Sequence, residues 1–278
     1  MTEEFLTEEA IKRKALAHRI RIHGLQLAIG LGLLISWQML TDHKVLDPFF
    51  FGKPSGVWHQ LVVWMHNGTD VGSIWLNAWV TLEEATLGFL SGVILGVIFG
   101  VFLGRNHLAA EVLAPYIKVS NSIPRIVLGS IFIVWMGLGT LSKVALAFVL
   151  VFFPVFFNAF QGTREADKKL ISNARLLGAS KRQVTRRVVM PSALSWITAS
   201  MHVSFGFALI GAIVGEFLGS QHGMGLIIAT AQGTFNPNGV YAAMLIIAVM
   251  AVSAEWLITK LEDRLLNWRP TQVSGTEI

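Results

Sequence analysis

Apolar and polar residues alternate along this chain in long blocks. Six apolar runs, at 24–40, 76–103, 112–136, 141–160, 191–218 and 240–258, each come close to or exceed the roughly 20 residues that cross a bilayer. The pattern predicts six transmembrane helices and an all-α, polytopic membrane protein. Ahead of the first run, Phe5, Leu6, Ile11, Leu16 and Ile20 are interspersed with Glu, Lys and Arg, which predicts an amphipathic helix over 1–23 at the membrane interface. That stretch lacks a short apolar core with a small-residue cleavage site, so it does not read as a signal peptide. Between the first two runs Pro48 and Pro54 signal turns, and the Trp-rich stretch after them suits the outer interface, where aromatic rings are favoured. The stretch 24–260 reads as the membrane domain and 261–278 as a polar, partly disordered tail.

Composition agrees with the blocks. The 278 residues are 53% hydrophobic and 14% charged, with a mean hydropathy of +0.59, too apolar for an ordinary soluble domain. No cysteine is present, so disulfides, thiolate metal sites and thiol nucleophiles are excluded. The net charge of +5 would point to nucleic acid in a soluble protein; here its distribution across the runs matters more. With the N-terminus inside, 17 of the 22 Lys and Arg fall in internal segments, three (Lys44, Lys53, Lys143) in external ones, and Lys118 and Arg125 lie within the third run. This bias predicts that both termini are cytoplasmic.

Inside the runs the informative residues are glycines and ionisable groups. Gly88, Gly92, Gly96, Gly100 and Gly104 follow at steps of four in the second run and form a smooth stripe, either a helix-packing seam or one wall of a permeation groove. Charges in spans are costly and mark function or a partner, which singles out Glu83, Glu84, Lys118, Arg125, His202 and Glu216. Lys118 and Glu83 can reach an interface by snorkelling. Asn121, Ser122 and Arg125 share one face, and Pro124 frees the carbonyl of Ser120, as in a translocation path. The alternative is that Arg125 pairs with Glu84 to hold the bundle. In the fifth run Ser195, Thr198, His202, Gly206 and Glu216 fall on a common helical face and form a polar stripe that would complete the path. His202 alone can equally be a satisfied buried histidine.

Catalytic patterns are missing. There is no phosphate-binding GxxxxGK[ST] loop, the fragment "FGKPS" lacking its upstream Gly, and no HExxH or GxSxG. The eight histidines are scattered, so no metal site is expected.

The segment 162–190 interrupts the apolar chain with basic residues. It is helix-prone up to Leu177, breaks at Gly178, Ala179 and Ser180, resumes over 181–189 and meets Pro191 at the start of the fifth run. Two short helices about a Gly hinge would form a projecting knob. The segment keeps Leu170, Ala174, Leu177, Val184 and Val188 at helical spacing, which a merely solvated loop does not need.

Here "NARLLGASKRQVTRRVVMPSAL" resembles the cytoplasmic signature of the membrane-spanning permease subunits of bacterial ABC importers, specifically the nitrate, sulfonate and taurine group, from Ala174 through Gly178 to Pro191. "KPSGVWHQL", "SIPRIVLGSIFIVWMGLGTLSK" and "GEFLGSQHGMGLII" are similar to further family signatures in the same order, so the resemblance covers about 45–265. It implies a type I importer permease fold in the bacterial inner membrane, a homodimer, two cytoplasmic ATPase subunits that bind ATP and Mg on the knobs, and a periplasmic binding protein. No cofactor and no nucleic acid are implied for the chain itself. Ala174, Arg175, Leu177, Gly178, Ala179 and Ser180 would carry ATPase coupling, and Glu216, in the Gly-Glu-Phe-Leu element, an outer gate or its supporting network. Ser172 stands where the signature has Glu, and Asn173 replaces its first Ala, so docking should lean on apolar packing and Arg175. A small organic anion is the expected cargo. A stand-alone secondary transporter or channel is the alternative, without an evident inverted repeat of broken helices to support it.

Overall fold

The computed structural model describes residues 8–166 and 168–265, with side chains described from residue 16 onward except at 168 and 265. Phe5, Leu6 and the tail beyond 265 lie outside the described residues. Twelve α-helices carry the described chain: α1 (Glu8–Asp42), α2 (Pro48–Phe51), α3 (Pro54–Asn67), α4 (Ile74–Arg105), α5 (His107–Ser122), α6 (Leu128–Met136), α7 (Thr140–Arg164), α8 (Lys168–Leu176), α9 (Lys181–Val184), α10 (Met190–Leu218), α11 (Met224–Gly233) and α12 (Pro237–Leu265). A 3-10 turn, Arg125–Val127, precedes α6, and a π turn, Thr185–Val189, precedes α10.

Five helical stretches are long and apolar enough to cross a membrane: Leu16–Asp42, Ile74–Arg105, Thr140–Arg164, Lys181–Leu218 and Pro237–Arg264. The bent pair α5 and α6 is a sixth candidate, as a broken span or a re-entrant loop. The run expected over 112–136 is not one helix but two, bent by 74°. Ile123 is extended at φ −73°, ψ 128°, because the residue before proline is pushed out of the helical region by the ring of Pro124. At the N-terminus α1 runs without a break through Gly24, so the described part of the N-terminal stretch is continuous with the first span.

The chain divides into two compact units. One comprises the chain up to Val63 with Ala231–Ala242; within it Trp37 sits edge-on to Tyr241 at 5.1 Å and the Lys53 amide donates to Asn238 Oδ1. The other comprises Trp64–Thr230 with the chain from Ala243, and its core is a sandwich of α4, α7 and α10. Ala85, Phe89, Ala147, Val151, Val155, Ala159, Phe205, Ala208 and Ala212 fill it.

The glycine stripe shows why α4 and α7 approach so closely. A Cβ at Gly92 would fall 2.7 Å from Val151, and one at Gly100 2.6 Å from the Phe156 carbonyl oxygen and 2.7 Å from Ala159. A Cβ at Gly104 would meet Thr163 at 2.7 Å. In this conformation the stripe faces α7 along its whole length and leaves no groove there, as small residues allow in membrane helix pairs.

Candidate functional site

The interrupting segment folds as a knob with two well-defined ends. α8 closes in a Schellman motif: the Gly178 amide donates to the Arg175 carbonyl and the Ala179 amide to the Ala174 carbonyl, each at 3.0 Å. Gly178 takes φ +82°, a left-handed conformation that costs glycine nothing. Ser180 then opens α9 with a capping box, its hydroxyl accepting from the Gln183 amide and the Gln183 side chain accepting from the Ser180 amide. Ala166, Val184 and Val189, with Ile171, Ala174 and Ala179 against them, form a small core inside the knob. Ala174, expected to offer apolar surface outward, instead packs inward. The outward apolar surface belongs to Leu177, 88% exposed, and to Leu176, 85% exposed. Leu176 was not singled out in the sequence, because it lies off the helical stripe and only the end of α8 turns it to solvent. Arg175 is exposed beside them.

The second half of the knob is not a separate helix, contrary to the expectation of a short helix ending before Pro191. From Lys181 the chain runs as one continuous helical stretch to Leu218. The π turn provides the continuity: the Met190 amide bonds the Thr185 carbonyl, five residues back. The wider turn accommodates the proline that follows, whose nitrogen has no hydrogen to give.

The path candidates are dispersed. Arg125 donates to Asn121, and its guanidinium lies 4.7 Å from the centre of the Phe153 ring. The Ser122 hydroxyl donates to the Lys118 carbonyl within the last turn of α5. His202 is held between two carboxylates of α12, with Nδ1 2.5 Å from Glu255 and Nε2 2.7 Å from Glu262, so it ties α10 to α12. Thr198 is buried and bonds the Ser195 carbonyl, while Gly206 has open space beside it. The polar stripe of α10 therefore does not form one wall in this conformation: Thr198 and Glu216 are buried, and His202 and Gly206 are not.

The pair Arg125 with Glu84 is not formed. Glu84 belongs to a buried polar cluster at the other end of α4 from the knob, and this cluster was largely missed in the sequence. Glu84, Glu216 and Lys143 are each at most 1% exposed. Glu84 lies beside Glu216 and Thr140, and Lys143 lies near both carboxyl groups while its ammonium donates to the carbonyls of Leu138 and Gly139. Lys143, which the charge distribution assigns to an external segment, folds back over the turn between α6 and α7. The cluster also supplies the start of α11. The Gly223 amide donates to Asn77 Oδ1 at 2.6 Å, the Met224 amide to Thr81 Oγ1 at 2.8 Å and the Gly225 amide to Glu216 Oε2 at 2.7 Å. Thr81 Oγ1 in turn donates to Glu216 Oε1 at 2.6 Å. Three amides at a helix start, which have no partner within the helix, are thus satisfied by side chains of α4 and α10. A signal existed: Asn77, Thr81 and Glu84 extend the face of the glycine stripe by three further turns.

Among the described residues no group of His, Asp or Glu is placed to hold a metal ion. The knob carries a second feature, a basic cleft of about 810 Å³ lined by Ser180, Arg182, Gln183, Arg186 and Arg187.

Comparisons with known proteins point one way. A family model described as binding-protein-dependent transport system inner membrane component matches residues 92–267. The chain is 33% identical over 198 residues to the putative aliphatic sulfonates transport permease protein SsuC of Bacillus subtilis, covering 71% of this chain and 72% of the relative. It is 25% identical over 248 residues to the taurine transport system permease protein TauC of Escherichia coli, covering 87% and 90%. An inward-facing structure of the MetNI methionine ABC transporter superposes with a TM-score of 0.58 at 19% identity, covering 70% of this chain and 96% of that one, which establishes a shared fold.

Proposed function

The chain belongs to the family of binding-protein-dependent transport system inner membrane components and is a membrane-embedded ABC importer permease subunit for small solutes; from this premise we propose how it works and for what. Two copies form the path in the bacterial inner membrane, with both termini and the knob in the cytoplasm. Two ATPase subunits dock on the knobs and hydrolyse ATP with Mg there, since the chain has no phosphate loop of its own. A periplasmic binding protein delivers the solute. The solute is a small organic anion, a reading supported by relatives named for sulfonate and taurine transport and by the cations Lys118 and Arg125 inside the bent span.

The observation that carries this reading is the pair Leu176 and Leu177, held bare at a Schellman turn whose far side runs unbroken into α10. Closure of the ATPases draws the two knobs together; because each is continuous with a membrane helix, the spans are levered open on the opposite side. The solute need bind only weakly in transit. Gly178→Val tests the coupling, since a β-branched side chain resists φ +82°. The expected result is a permease that inserts and dimerises but has lost its ATPase on co-purification, or hydrolyses ATP without uptake. A variant that keeps its ATPase and transports at the normal rate overturns the proposal.

A further inference from the structure

Between α4, α5 and α7, within the second unit, lies a cavity of about 310 Å³ lined chiefly by Leu103, Lys118, Asn121, Phe156, Phe157 and Phe160. Three features define what it can hold. Its volume is at the lower end of the range for small-molecule sites, which suits a compact solute. Its apolar wall is aromatic and ordered: Phe156 and Phe160 stack along α7, with centroids 6.2 Å apart and planes inclined by only 22°, and Phe152 stacks behind Phe156 at 5.7 Å. Phe157 meets Phe156 edge-on at 5.2 Å, so the wall offers both a ring face and a ring edge.

The third feature is charge without compensation. Lys118 lines the cavity, and Asn121 beside it holds the Arg125 guanidinium. Among the described residues neither cation pairs with a carboxylate: Glu111, the acidic residue of α5, pairs with His107, and Glu84 belongs to the cluster with Glu216 and Lys143. Arg125 Nε is buried with no hydrogen-bond partner. Cations in a membrane span ordinarily find an anion, and here none of the described residues provides one. Lys118 thus has a role that snorkelling alone does not require.

We propose that this cavity is a binding station for a small organic anion with an aromatic body, the acid group held by Lys118 and the Asn121 amide and the ring packed on Phe156, Phe157 and Phe160. The station deepens the reading that the permease conducts an organic anion, and rests on it. Inorganic anions and short aliphatic acids gain the charge contact but leave the phenylalanine wall bare, so the cavity ranks single-ring acids above them.

The test uses the permease with its co-purified ATPase in phosphatidylcholine nanodiscs and follows para-fluorobenzenesulfonate by fluorine NMR line broadening. The wild type should broaden the signal, and benzenesulfonate should displace the probe at lower concentration than methanesulfonate. Lys118→Gln should weaken the apparent affinity by about tenfold, equivalent to about 1.4 kcal/mol, and Lys118→Arg should recover most of it. Phe157→Ala should weaken benzenesulfonate competition and leave methanesulfonate competition unchanged. The station is overturned if the wild type does not bind the probe, or if Lys118→Gln binds it as well as the wild type. It is also overturned if discs containing phosphatidylglycerol abolish probe binding and that lipid is retained by the wild type but released by Lys118→Gln, which would make the cavity a lipid site. Uptake into proteoliposomes by the wild-type complex with its binding protein separates the two claims: failure to take up any organic anion refutes the broader reading, whereas uptake together with Lys118-independent binding refutes the station alone.

Discussion

The buried polar cluster and the knob place opposite chemistry where it is least expected. At one end of α4, two carboxyl groups and an ammonium are almost wholly withdrawn from solvent, yet nearly every polar atom has a partner, a single oxygen of Glu84 being the exception. At the knob, two leucines stand almost fully exposed on a segment otherwise rich in Arg and Lys. A buried charge is tolerable only when its surroundings complete it, so the cluster is finished within the chain and acts as a bolt: it joins α4, α7 and α10 to the start of α11. Exposed leucines on a built turn are unfinished, and completion has to come from another molecule. The difference separates a residue that holds the permease together from one that is free to meet a partner, which the proposed function takes to be the ATPase, and burial distinguishes the two where residue type misleads.

Breaking the bolt should have the largest effect on the permease itself. Glu216→Ala removes the acceptor of the Thr81 hydroxyl and the Gly225 amide and leaves the Lys143 ammonium with less negative charge nearby. A loss of about 1–3 kcal/mol for each buried donor left unsatisfied is expected, read as a fall in the thermal unfolding temperature of the detergent-solubilised protein. Adding Lys143→Met should restore part of that loss, because the second substitution removes the charge left uncompensated. An unchanged unfolding temperature in Glu216→Ala would show that the cluster is not a bolt.

A smaller loss is expected on the seam that joins the bolt to the knob. Gly100→Leu forces a branched side chain against the Phe156 carbonyl and Ala159, and overpacking of this kind costs about 1–3 kcal/mol. The measurement is yield and unfolding temperature of the detergent-solubilised protein; normal values for both would mean that α4 can move away from α7 at no cost.

At the knob the sign of the comparison should invert. Leu176→Glu with Leu177→Glu removes no internal contact, and surface changes of this sort stay within about 0.5 kcal/mol. The unfolding temperature should hold while ATPase co-purification is lost. If the variant keeps its ATPase, the exposed leucines are not the docking surface and the contrast between the two regions disappears.

Much of this architecture follows from sequence periodicity and residue chemistry alone. Long apolar runs can only be helices in a bilayer, since every backbone amide must find a partner within its own segment, so the helical class and the approximate spans were legible at once. The glycines at steps of four marked a close-packed face, and Gly178 followed by Ser180 marked a helix end and a new start, because both signals are local in the chain. What required the tertiary structure was every pairing over distance. Arg125 and Glu84 are each plausible partners by charge, but Arg125 turns to Asn121 and Phe153 while Glu84 turns to Glu216 and Thr140. Lys143, at the start of a membrane span, looks like an interfacial charge until its ammonium is seen closing on the carbonyls of Leu138 and Gly139. The bend at Pro124 and the unbroken helix across Pro191 show the same limit for backbone. A proline removes one donor in either place, but whether the chain folds away or widens into a π turn depends on the helices packed around it, and that is decided only when they come together.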